Sequence, residues 1–410
     1  MMTSRVDAFT RTHAAVAARA VTCLLALLGG LVAAGCDDDP PRRRAEPERW
    51  AWREVTLPAP ANAGEHLVIR DVTVCDGTWY VVGAMATSSG DTRPAAWRSA
   101  DGASWQTITM TPLTFWGKQH VMYSAACRGA LLAAMGAKRG GAHANPRTSS
   151  WHTDAGGGMT EMIDAYTLFG GPDALNVSKL VAGPDGWMIA GNRLTGAAAW
   201  TSPDGSNFTL RSNLPQLKSD PEWNTYALDT VADGRGWTLV GGASRPGRID
   251  RDPAAWSTTD GASWQRAIVP GSAAYEEFQR AVRTDAGLVA AGLRGDVFGA
   301  WQRRDDGWHE AGQFGTVQAK QTSGPIRVGA VGSLAAGPAA NVAAAVSDGV
   351  AFTLWRSPDG GGTWVQVVLP PASFPAGPDQ AMAIAWAGGR WMLAADDGKA
   401  GRVWVADFSG

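Results

Sequence analysis

A tryptophan recurs at regular intervals along most of the sequence. Consecutive copies are 45 to 56 residues apart, and most stand in an apolar stretch that runs into an Asp-Gly turn or its remnant. A second apolar stretch precedes each copy and ends in Gly in five of the seven, as in "WYVVGA" and "WMIAGN". Repeats of this length bury their apolar faces by stacking on their neighbours, so they constrain the fold more strongly than chain length does. The seven tryptophans are Trp97, Trp151, Trp200, Trp256, Trp301, Trp355 and Trp404.

Each repeat has the pattern of four short β-strands joined by tight turns. Turns such as "CDGT" and "GPDG" separate the apolar stretches, and the repeats show no helical period. Four antiparallel strands in a unit of roughly 40 to 50 residues are typical of a β-propeller blade. The last repeat lacks a fourth strand, whereas "WAWREVTLP", which begins at Trp50, belongs to no repeat. We therefore predict an all-β protein in which residues 50–410 form a seven-bladed β-propeller of four-stranded antiparallel blades, closed by this N-terminal strand.

The first 36 residues have the pattern of an export signal. A basic segment with Arg5, Arg11 and Arg19 precedes an apolar run that ends at Cys36 and is too short to span a bilayer comfortably. The stretch "LVAAGC" resembles the lipobox of bacterial lipoproteins, although Ala33 stands where Leu is more usual. That resemblance implies cleavage before Cys36 and attachment of a diacylglyceryl group to its thiol. The alternative is an ordinary secretory signal in which this Cys is incidental.

The segment after Cys36 is polar and rich in Pro. Its sequence, "DDDPPRRRAEPER", has no apolar residue beyond Ala, so we expect it to stay extended and unpacked. We accordingly predict a signal peptide over residues 1–35 and a disordered tether over residues 36–49. The protein would then face outward from a bacterial cell membrane, or lie in the periplasm or cell envelope.

Two cysteines, Cys75 and Cys127, follow Cys36. Each precedes a Gly-containing turn and a strand, so they occupy equivalent positions in successive repeats. An exported pair of this kind predicts a disulfide between neighbouring blades. Two buried free thiols are the alternative.

The Asp-Gly turns resemble Asp-boxes, also called BNR repeats, with the pattern Ser/Thr-x-Asp-x-Gly-x-Thr-Trp. The stretch "SPDGGGTW" ending at Trp364 matches it in full, three other copies fit a shorter form, and "HTDAGGGM" and "RRDDGWH" are degraded. Such boxes occur in sialidases, sortilin-type receptors, some other glycosidases and photosystem assembly factors, so they imply a fold rather than an activity. A short carboxylate can accept backbone N–H bonds across a turn in which Gly adopts positive φ. We predict a structural role for Asp101, Asp204, Asp260 and Asp359 and for the closing residues Trp105, Trp264 and Trp364.

The face opposite these turns is the predicted ligand face. Its loops combine aromatic side chains with carboxylates and Arg, as a carbohydrate or anionic ligand requires, although solvated loops contain the same residues by chance. The candidates are Trp116, Trp223, Tyr275, Glu276 and Arg280.

No catalytic signature stands out. A sialidase needs an Arg triad, a Tyr nucleophile and a Phe-Arg-Ile-Pro stretch, and "LVIRDV" around Arg70 lacks the Pro. Other glycosidases need two suitably placed carboxylates, and no spacing selects a pair among the loop acids. The six His form no metal-binding pattern, so we predict no metal and expect His120 and His152 to be hydrogen-bonding surface residues. No nucleotide-binding loop is present, so we predict no cofactor.

The formal net charge of −2 gives no basic surface for nucleic acid. The leading hypothesis is therefore a membrane-anchored binding or scaffold module for a protein, glycan or envelope component. The rival is a glycoside hydrolase, sialidase-like or another exo-glycosidase, with a degenerate signature. A structural assembly factor would differ from the first hypothesis only in its partner.

Replacing Cys36 by Ala tests the lipid anchor. Because the thiol is the attachment point, the C36A protein should move from the membrane fraction to the soluble fraction, and mass spectrometry should show no lipid on its N-terminus. A variant that fractionates with membranes as the parent does would contradict the lipoprotein assignment.

Overall fold

The computed structural model describes residues 45–59, 64–140, 145–318, 329–370 and 373–408. The predicted signal peptide, Cys36 and the tether as far as residue 44 lie outside the described residues. Two short helical segments interrupt the strands, the 3-10 turn Gly117–Gln119 and α1 (Tyr166–Phe169). Among the described residues, no helix has the length and apolar character needed to cross a bilayer.

The strands of the first half of the chain are, in order, β1 (Arg53–Val55), β2 (Glu65–Cys75), β3 (Thr78–Thr87), β4 (Thr92–Ser99), β5 (Gln106–Ile108), β6 (Met110–Thr111), β7 (Val121–Arg128), β8 (Leu131–Gly140), β9 (Asn145–Thr153), β10 (Met159–Glu161), β11 (Ala174–Gly183), β12 (Gly186–Arg193), β13 (Gly196–Ser202) and β14 (Thr209–Arg211). The second half contains β15 (Asn224–Ala232), β16 (Trp237–Ser244), β17 (Asp252–Thr258), β18 (Gln265–Ile268), β19 (Glu276–Thr284), β20 (Gly287–Arg294), β21 (Val297–Arg304), β22 (Gly307–Phe314), β23 (Ala330–Ala336), β24 (Val342–Ser347), β25 (Ala351–Ser357), β26 (Val365–Val367), β27 (Phe374–Pro375), β28 (Ala381–Ala387), β29 (Arg390–Asp396) and β30 (Gly401–Asp407).

These strands form seven antiparallel sheets, so the predicted seven-bladed propeller is confirmed. Blades 1 to 6 are β2–β5, β7–β10, β11–β14, β15–β18, β19–β22 and β23–β26, and blade 7 is β28–β30 with β1. The short strand β6 pairs with β10 in parallel, and β27 pairs with β25. The first strand of each blade contacts the first strands of both neighbouring blades, including β28 against β2, so these seven strands surround a central channel.

The N-terminal strand belongs to the last blade. In β1, Arg53 lies opposite Val405 and Val55 lies opposite Val403 on β30, in antiparallel register. One apolar cluster then contains Val55 and Val403 of blade 7 together with Val81 of blade 1. The two ends of the propeller therefore share a sheet and a core.

The packed body begins earlier than the predicted tether allows. Glu48 forms a parallel bridge with Val367 at the outer edge of blade 6, and its backbone N–H donates to the Gln366 carbonyl at 2.8 Å. The Glu48 carboxylate also pairs with Arg356 at 2.7 Å. The expectation of an unpacked chain through residue 49 is thus wrong for Glu48, because an outer strand leaves backbone groups that a passing extended segment can pair with.

The core consists of seven interfaces between adjacent blades. The second strands are buried along nearly their whole length because both faces of each sheet are covered, as the uniform burial of β12 shows. The third strands carry the repeated tryptophans, and Trp151, Trp200 and Trp256 are completely buried. Each full burial of a large apolar side chain stabilises the fold by roughly 1.5 to 3 kcal/mol or more, so these residues account for the repeat in the sequence.

Buried side chains link every blade to the next around the channel. At each of the seven interfaces, a buried polar side chain from one blade accepts a hydrogen bond from a backbone N–H in the first strand of the following blade. The acceptor and donor pairs are Asp71 with Ala125 at 3.1 Å, Ser124 with Leu180 at 3.0 Å, Asn192 with Ala227 at 2.8 Å, Asp229 with Ala281 at 3.1 Å, Gln279 with Val331 at 2.7 Å, Ser333 with Ile384 at 3.2 Å, and Asp396 with Ile69 at 3.1 Å.

The links occur where the first strands are irregular. The register of the first strand shifts in six of the seven blades, for example between Ile69 and Asp71 and between Met122 and Ser124. A bulge leaves a backbone N–H outside the ladder, and a buried N–H without a partner costs free energy. The cross-blade bonds satisfy these donors and fix each blade relative to the next.

A disulfide joins blades 1 and 2 at one end of the channel. Cys75 ends β2 and Cys127 lies near the end of β7, with their Cα atoms 5.9 Å apart. The bond closes a loop with a sequence separation of 52 residues. In the chain-entropy account, closing a loop of this size stabilises the folded state by about 4 kcal/mol.

Replacing Ser124 by Ala tests the contribution of one cross-blade link. The change leaves the buried Leu180 N–H without its acceptor, so the free energy of unfolding should fall by about 1 to 3 kcal/mol. Chemical denaturation measures this decrease in the free energy of unfolding. Ser178→Ala is the matched control, because the Ser178 hydroxyl bonds only an exposed Asn176 side chain, and its effect should stay within about 0.5 kcal/mol. Equal decreases in the free energy of unfolding of both variants would show that the cross-blade bond contributes no more than an exposed hydrogen bond does.

Candidate binding face and channel mouth

The two faces of the propeller carry different connections. The lower face, as we name it, holds the turns between third and fourth strands and the hairpins between first and second strands. The upper face holds the loops between second and third strands and the connections from one blade to the next. The Asp-Gly turns lie on the lower face, and four of the five predicted ligand residues lie in or beside upper-face loops.

In the Asp-Gly turns, the carboxylate accepts bonds from the turn backbone. Asp101 Oδ1 accepts from the N–H of Ala103 at 2.8 Å, from the N–H of Ser104 at 2.7 Å and from the Ser99 hydroxyl at 2.9 Å. These bonds, the Ser104 N–H first, hold the pKa of Asp101 well below its usual range. Asp204 and Asp260 repeat the arrangement with their own turn residues. The carboxylates are therefore occupied by the turn itself.

The turns also pack against the preceding blade. Trp364 stacks on Phe314 of blade 5 with ring centroids 4.0 Å apart, and the Gln302 side chain donates to the Asp359 and Gly360 carbonyls. Trp264 lies in the cluster between blades 3 and 4, and Trp105 packs into the cluster between blades 7 and 1. Each complete turn thus fills the lower end of an interface between blades.

The second repeat differs in its closing residue rather than in its Asp. Asp154 Oδ1 accepts from the N–H groups of Gly156 and Gly158 at 2.9 Å, so this carboxylate still holds a turn. Met159, however, stands where the complete turn has Trp364. A groove of about 730 Å³ lined by Met159 and Leu131 lies between blades 1 and 2. A second groove, of about 890 Å³, lies between blades 4 and 5, where the turn is shortened to Asp305 and Asp306.

The repeated tryptophans hold the upper-face connections. The indole N–H groups of Trp97, Trp200 and Trp256 donate to backbone carbonyls in the segments that lead into their own blades. The acceptors are Pro58 at 2.8 Å, Leu168 at 2.7 Å and Gln216 at 3.0 Å. The buried third strand thereby fixes the loop above it.

In blade 2 the acceptor for the indole N–H is the side chain of His120 rather than a backbone carbonyl. Trp151 donates to His120 Nδ1 at 3.2 Å, and His120 is completely buried, so the expectation of a surface His is wrong. Burial lowers the pKa of His120 to about 4, which keeps the ring neutral and able to accept this bond at neutral pH. Buried Glu161 nearby accepts the backbone N–H groups of Leu113 and Thr114, each at 2.8 Å. Sequence patterns misplaced His120 on the surface and did not indicate Glu161, because neither belongs to a repeated motif.

The structure separates the five predicted ligand residues. Trp116 is half-buried above blade 2, and Trp223 lies before blade 4 under the Arg245 guanidinium, 4.4 Å from the ring centroid. Tyr275 and Glu276 lie at the start of β19, whereas Arg280 lies further along that strand and lines the upper mouth of the channel. They do not form one pocket.

Tyr275 and its neighbouring acids belong to a buried polar network. The Tyr275 hydroxyl donates to Glu277 at 2.8 Å, and Arg251 pairs with the same carboxylate at 2.6 Å. Burial, then the Glu277 charge, raises the pKa of Tyr275. Glu276 accepts from the Ser272 hydroxyl at 2.7 Å and pairs with Arg294 at 3.4 Å. The Tyr275 hydroxyl and both carboxylates are therefore engaged by side chains of this network.

The channel opens on the upper face into a cavity of about 650 Å³. Arg70, Lys179 and Arg280 bring three cationic side chains to it from blades 1, 3 and 5. Tyr123 and Gln380 add polar groups. Within the described part of the chain, no group of three or more His, Cys, Asp or Glu is arranged to hold a metal ion.

Exposed apolar side chains concentrate on the upper face. In the described ranges, nine large apolar side chains are exposed. Seven lie in upper-face loops, Leu175 lies at the upper end of β11, and Leu131 lies on the lower face. The most exposed of those above blade 2 are Phe115 at 70% and Ile163 at 71%. We call the four residues around the upper end of blade 2 the apolar patch: Leu113, Phe115, Ile163 and Tyr166.

No protein-family model and no curated protein matches this chain. Among solved structures, it is similar to YCF48 bound to a D1 peptide, with 15% identity, 90% of this chain and 97% of that chain covered, and a TM-score of 0.50. It is similar to a puromycin hydrolase with 16% identity, coverage of 88% and 55%, and a TM-score of 0.51. A mutant Trypanosoma rangeli sialidase is 9% identical, with coverage of 83% and 54% and a TM-score of 0.43. The first two similarities agree with the class of fold, a β-propeller, and show nothing finer.

Replacing Asp359 by Ala tests the role of the turn carboxylates. Asp359 accepts from the Thr363 N–H at 2.9 Å and the Ser357 hydroxyl at 2.8 Å, so its loss should lower the free energy of unfolding by about 1 to 2 kcal/mol. These bonds outweigh burial and lower the pKa of Asp359. The difference from the parent should therefore be full above about pH 4 and shrink as the pH falls towards 2.

Asp305→Ala is the control, since Asp305 is exposed in the shortened turn of blade 5. Its melting temperature should match that of the parent. A binding or catalytic role for Asp359 would instead appear as lost activity in a D359A protein of unchanged stability.

Proposed function

We propose that this chain is a non-catalytic binding module that presents the upper face of its propeller to a protein partner. The observation that carries the proposal is the distribution of exposed apolar side chains, eight of nine of which lie on that face. Clustered exposed apolar side chains mark interaction sites, because their burial against a partner is favourable. YCF48, which shares the fold, has been solved with a peptide bound.

The apolar patch is held in a defined shape. Buried Glu161 fixes the backbone of Leu113 and Thr114, and Arg147 lies over the rings of Trp116 and Tyr166, at 6.0 and 5.2 Å from their centroids. A surface that is already ordered loses little conformational entropy on binding. The patch is therefore suited to recognise a partner.

The lipobox-like segment supports a location on the outer side of a bacterial membrane, with Cys36 as the lipid attachment site. The lower face would then serve stability, through the Asp-box-like turns, and the upper face recognition. A protein partner fits the apolar patch better than a glycan does, because sugar sites pair aromatic rings with open polar groups, and here Glu276 and Glu277 are already bonded internally.

A glycoside hydrolase remains the second candidate because of one pair of acids. Asp252 and Glu276 both lie beside Gly271, and burial, then the Glu276 charge, raises the pKa of Asp252. A carboxyl with a raised pKa beside a second carboxylate has the form of a glycosidase pair. Glu276, however, is only 1% exposed and is engaged by Ser272 and Arg294, so a sugar ring has no access to it.

The double variant F115S/I163S tests the binding function. Removing two exposed apolar side chains should reduce capture of envelope proteins by the immobilised protein at least about tenfold without changing its melting temperature. L131S, which alters the exposed apolar residue of the lower face, is the control and should capture as the parent does. Capture that survives F115S/I163S would place the partner elsewhere. Turnover of a fluorogenic glycoside that Glu276→Gln abolishes would make the chain a hydrolase.

A further inference from the structure

The upper mouth of the channel is a second recognition site, distinct from the apolar patch. We propose that it binds a terminal carboxylate attached to an apolar residue, namely the C-terminus of an extended polypeptide. This inference deepens the proposed protein-binding function and rests on it.

The three cationic side chains are placed by irregularities in the first strands. Arg70 lies in the register shift of β2, Lys179 in that of β11, and Arg280 directly after that of β19. A bulge redirects side chains, and here all three line one cavity. They come from alternate blades, so they surround the mouth rather than cluster on one side.

Two of the three cations form ion pairs with carboxylates, and the third does not. Arg70 pairs with Asp396 at 2.5 Å, and Lys179 pairs with Asp71 at 2.9 Å. Among the described residues, Arg280 has no carboxylate within ion-pair distance; its Nε donates to the Gly332 carbonyl at 3.1 Å and its Nη1 to the Gln279 carbonyl at 2.6 Å. The mouth therefore has three cations against two paired carboxylates.

Asp229 is a further acid of the channel, but it is buried and does not line the mouth cavity. Its Oδ2 is already occupied by the Ala281 N–H at 3.1 Å. The mouth cavity is lined by these three cations and, among the described residues, by no carboxylate. Such a cavity with half-buried donors favours an anion, since partial burial strengthens the attraction beyond what exposed side chains achieve.

Part of the cavity wall is apolar. Val177, Phe352 and Met382 line it, together with Pro378 from the connection into blade 7. A free inorganic anion would use the cations and leave this wall bare, whereas a chain terminus with an apolar last residue would use both. Capture of a C-terminal carboxylate by clustered donors is a known mode of peptide recognition.

The test compares three short peptides on the purified full-length chain. Acetyl-Ala-Ala-Leu with a free carboxylate should bind at least about tenfold more tightly than its C-terminal amide, because it gains charged hydrogen bonds. Acetyl-Ala-Ala-Glu amide, which carries its carboxylate on a side chain, should bind as weakly as the leucine amide. Isothermal titration calorimetry measures all three, with inorganic phosphate as a competitor.

Arg280→Gln should remove the preference for the free carboxylate. The control is Arg283→Gln, which removes an exposed charge from the same strand at the lower end and should keep the preference. Because R280Q also loses two backbone contacts, Ser178→Asp provides a second variant. Ser178→Asp adds a negative charge to the mouth without removing a cation. It should weaken binding of the free-acid peptide at least about tenfold while leaving binding of the amide unchanged.

Equal binding of acid and amide, or a preference that persists in both R280Q and S178D, would overturn the proposal. Tight binding of the glutamate amide or of phosphate alone would also overturn it, because the site would then recognise any anion. The F115S/I163S protein should keep the carboxylate preference. Failure of the carboxylate site is thus separable from failure of the protein-binding function, which depends on the apolar patch.

Discussion

The seven hydrogen bonds that run from blade to blade around the channel determine how this propeller is assembled. In the part of the chain that the structure describes, adjacent blades share no β-ladder, so side-chain contacts hold each sheet against the next. A buried side-chain oxygen on each blade accepts a specific backbone N–H of its neighbour, and this fixes the angle and height of every blade. Where Lys179 takes the place of the usual acceptor, Asn192 on the second strand supplies the link instead. The placement of Lys179 and Arg280 at the channel mouth is compatible with a closed ring only because other residues make these bonds.

The repeats made the blade number predictable, whereas the cross-blade bonds were not. A Trp at a nearly constant spacing reports the same burial in each blade, so the period is visible in one sequence. The acceptors are Asp, Ser, Asn and Gln in turn, and an N–H in another repeat is their target, so they share neither a residue type nor a local motif. The same reason hid His120, which replaces a backbone carbonyl in its bond to Trp151. Glu48 was assigned to the tether by composition, because pairing with an outer strand depends on backbone groups and leaves no compositional trace.

The predicted ligand residues show what residue types alone can and cannot indicate. Aromatic and charged residues in upper-face loops did identify the face on which exposed apolar side chains and the channel mouth are found. They did not distinguish residues that remain available from those that are not, since Tyr275 and Glu276 are engaged by their own neighbours. Arg280 differs from them because its guanidinium bonds carbonyls and no acid. Whether a side chain remains available to a ligand depends on the partners that it meets in the folded protein, and these come from segments far apart in the sequence.

The pairing of β1 with β30 has a consequence for how the chain acquires its structure. The strand nearest the N-terminus lies opposite Val403 and Val405, so it finds its partner only after almost the whole sequence has been synthesised. Until then blade 7 lacks its outer strand, and the apolar surface shared with blade 1 is open to water. Contacts of such long sequence separation form slowly. During folding the protein therefore passes through an open chain of blades that is exposed to proteases and aggregation, and closing the ring is the step that ends this exposure.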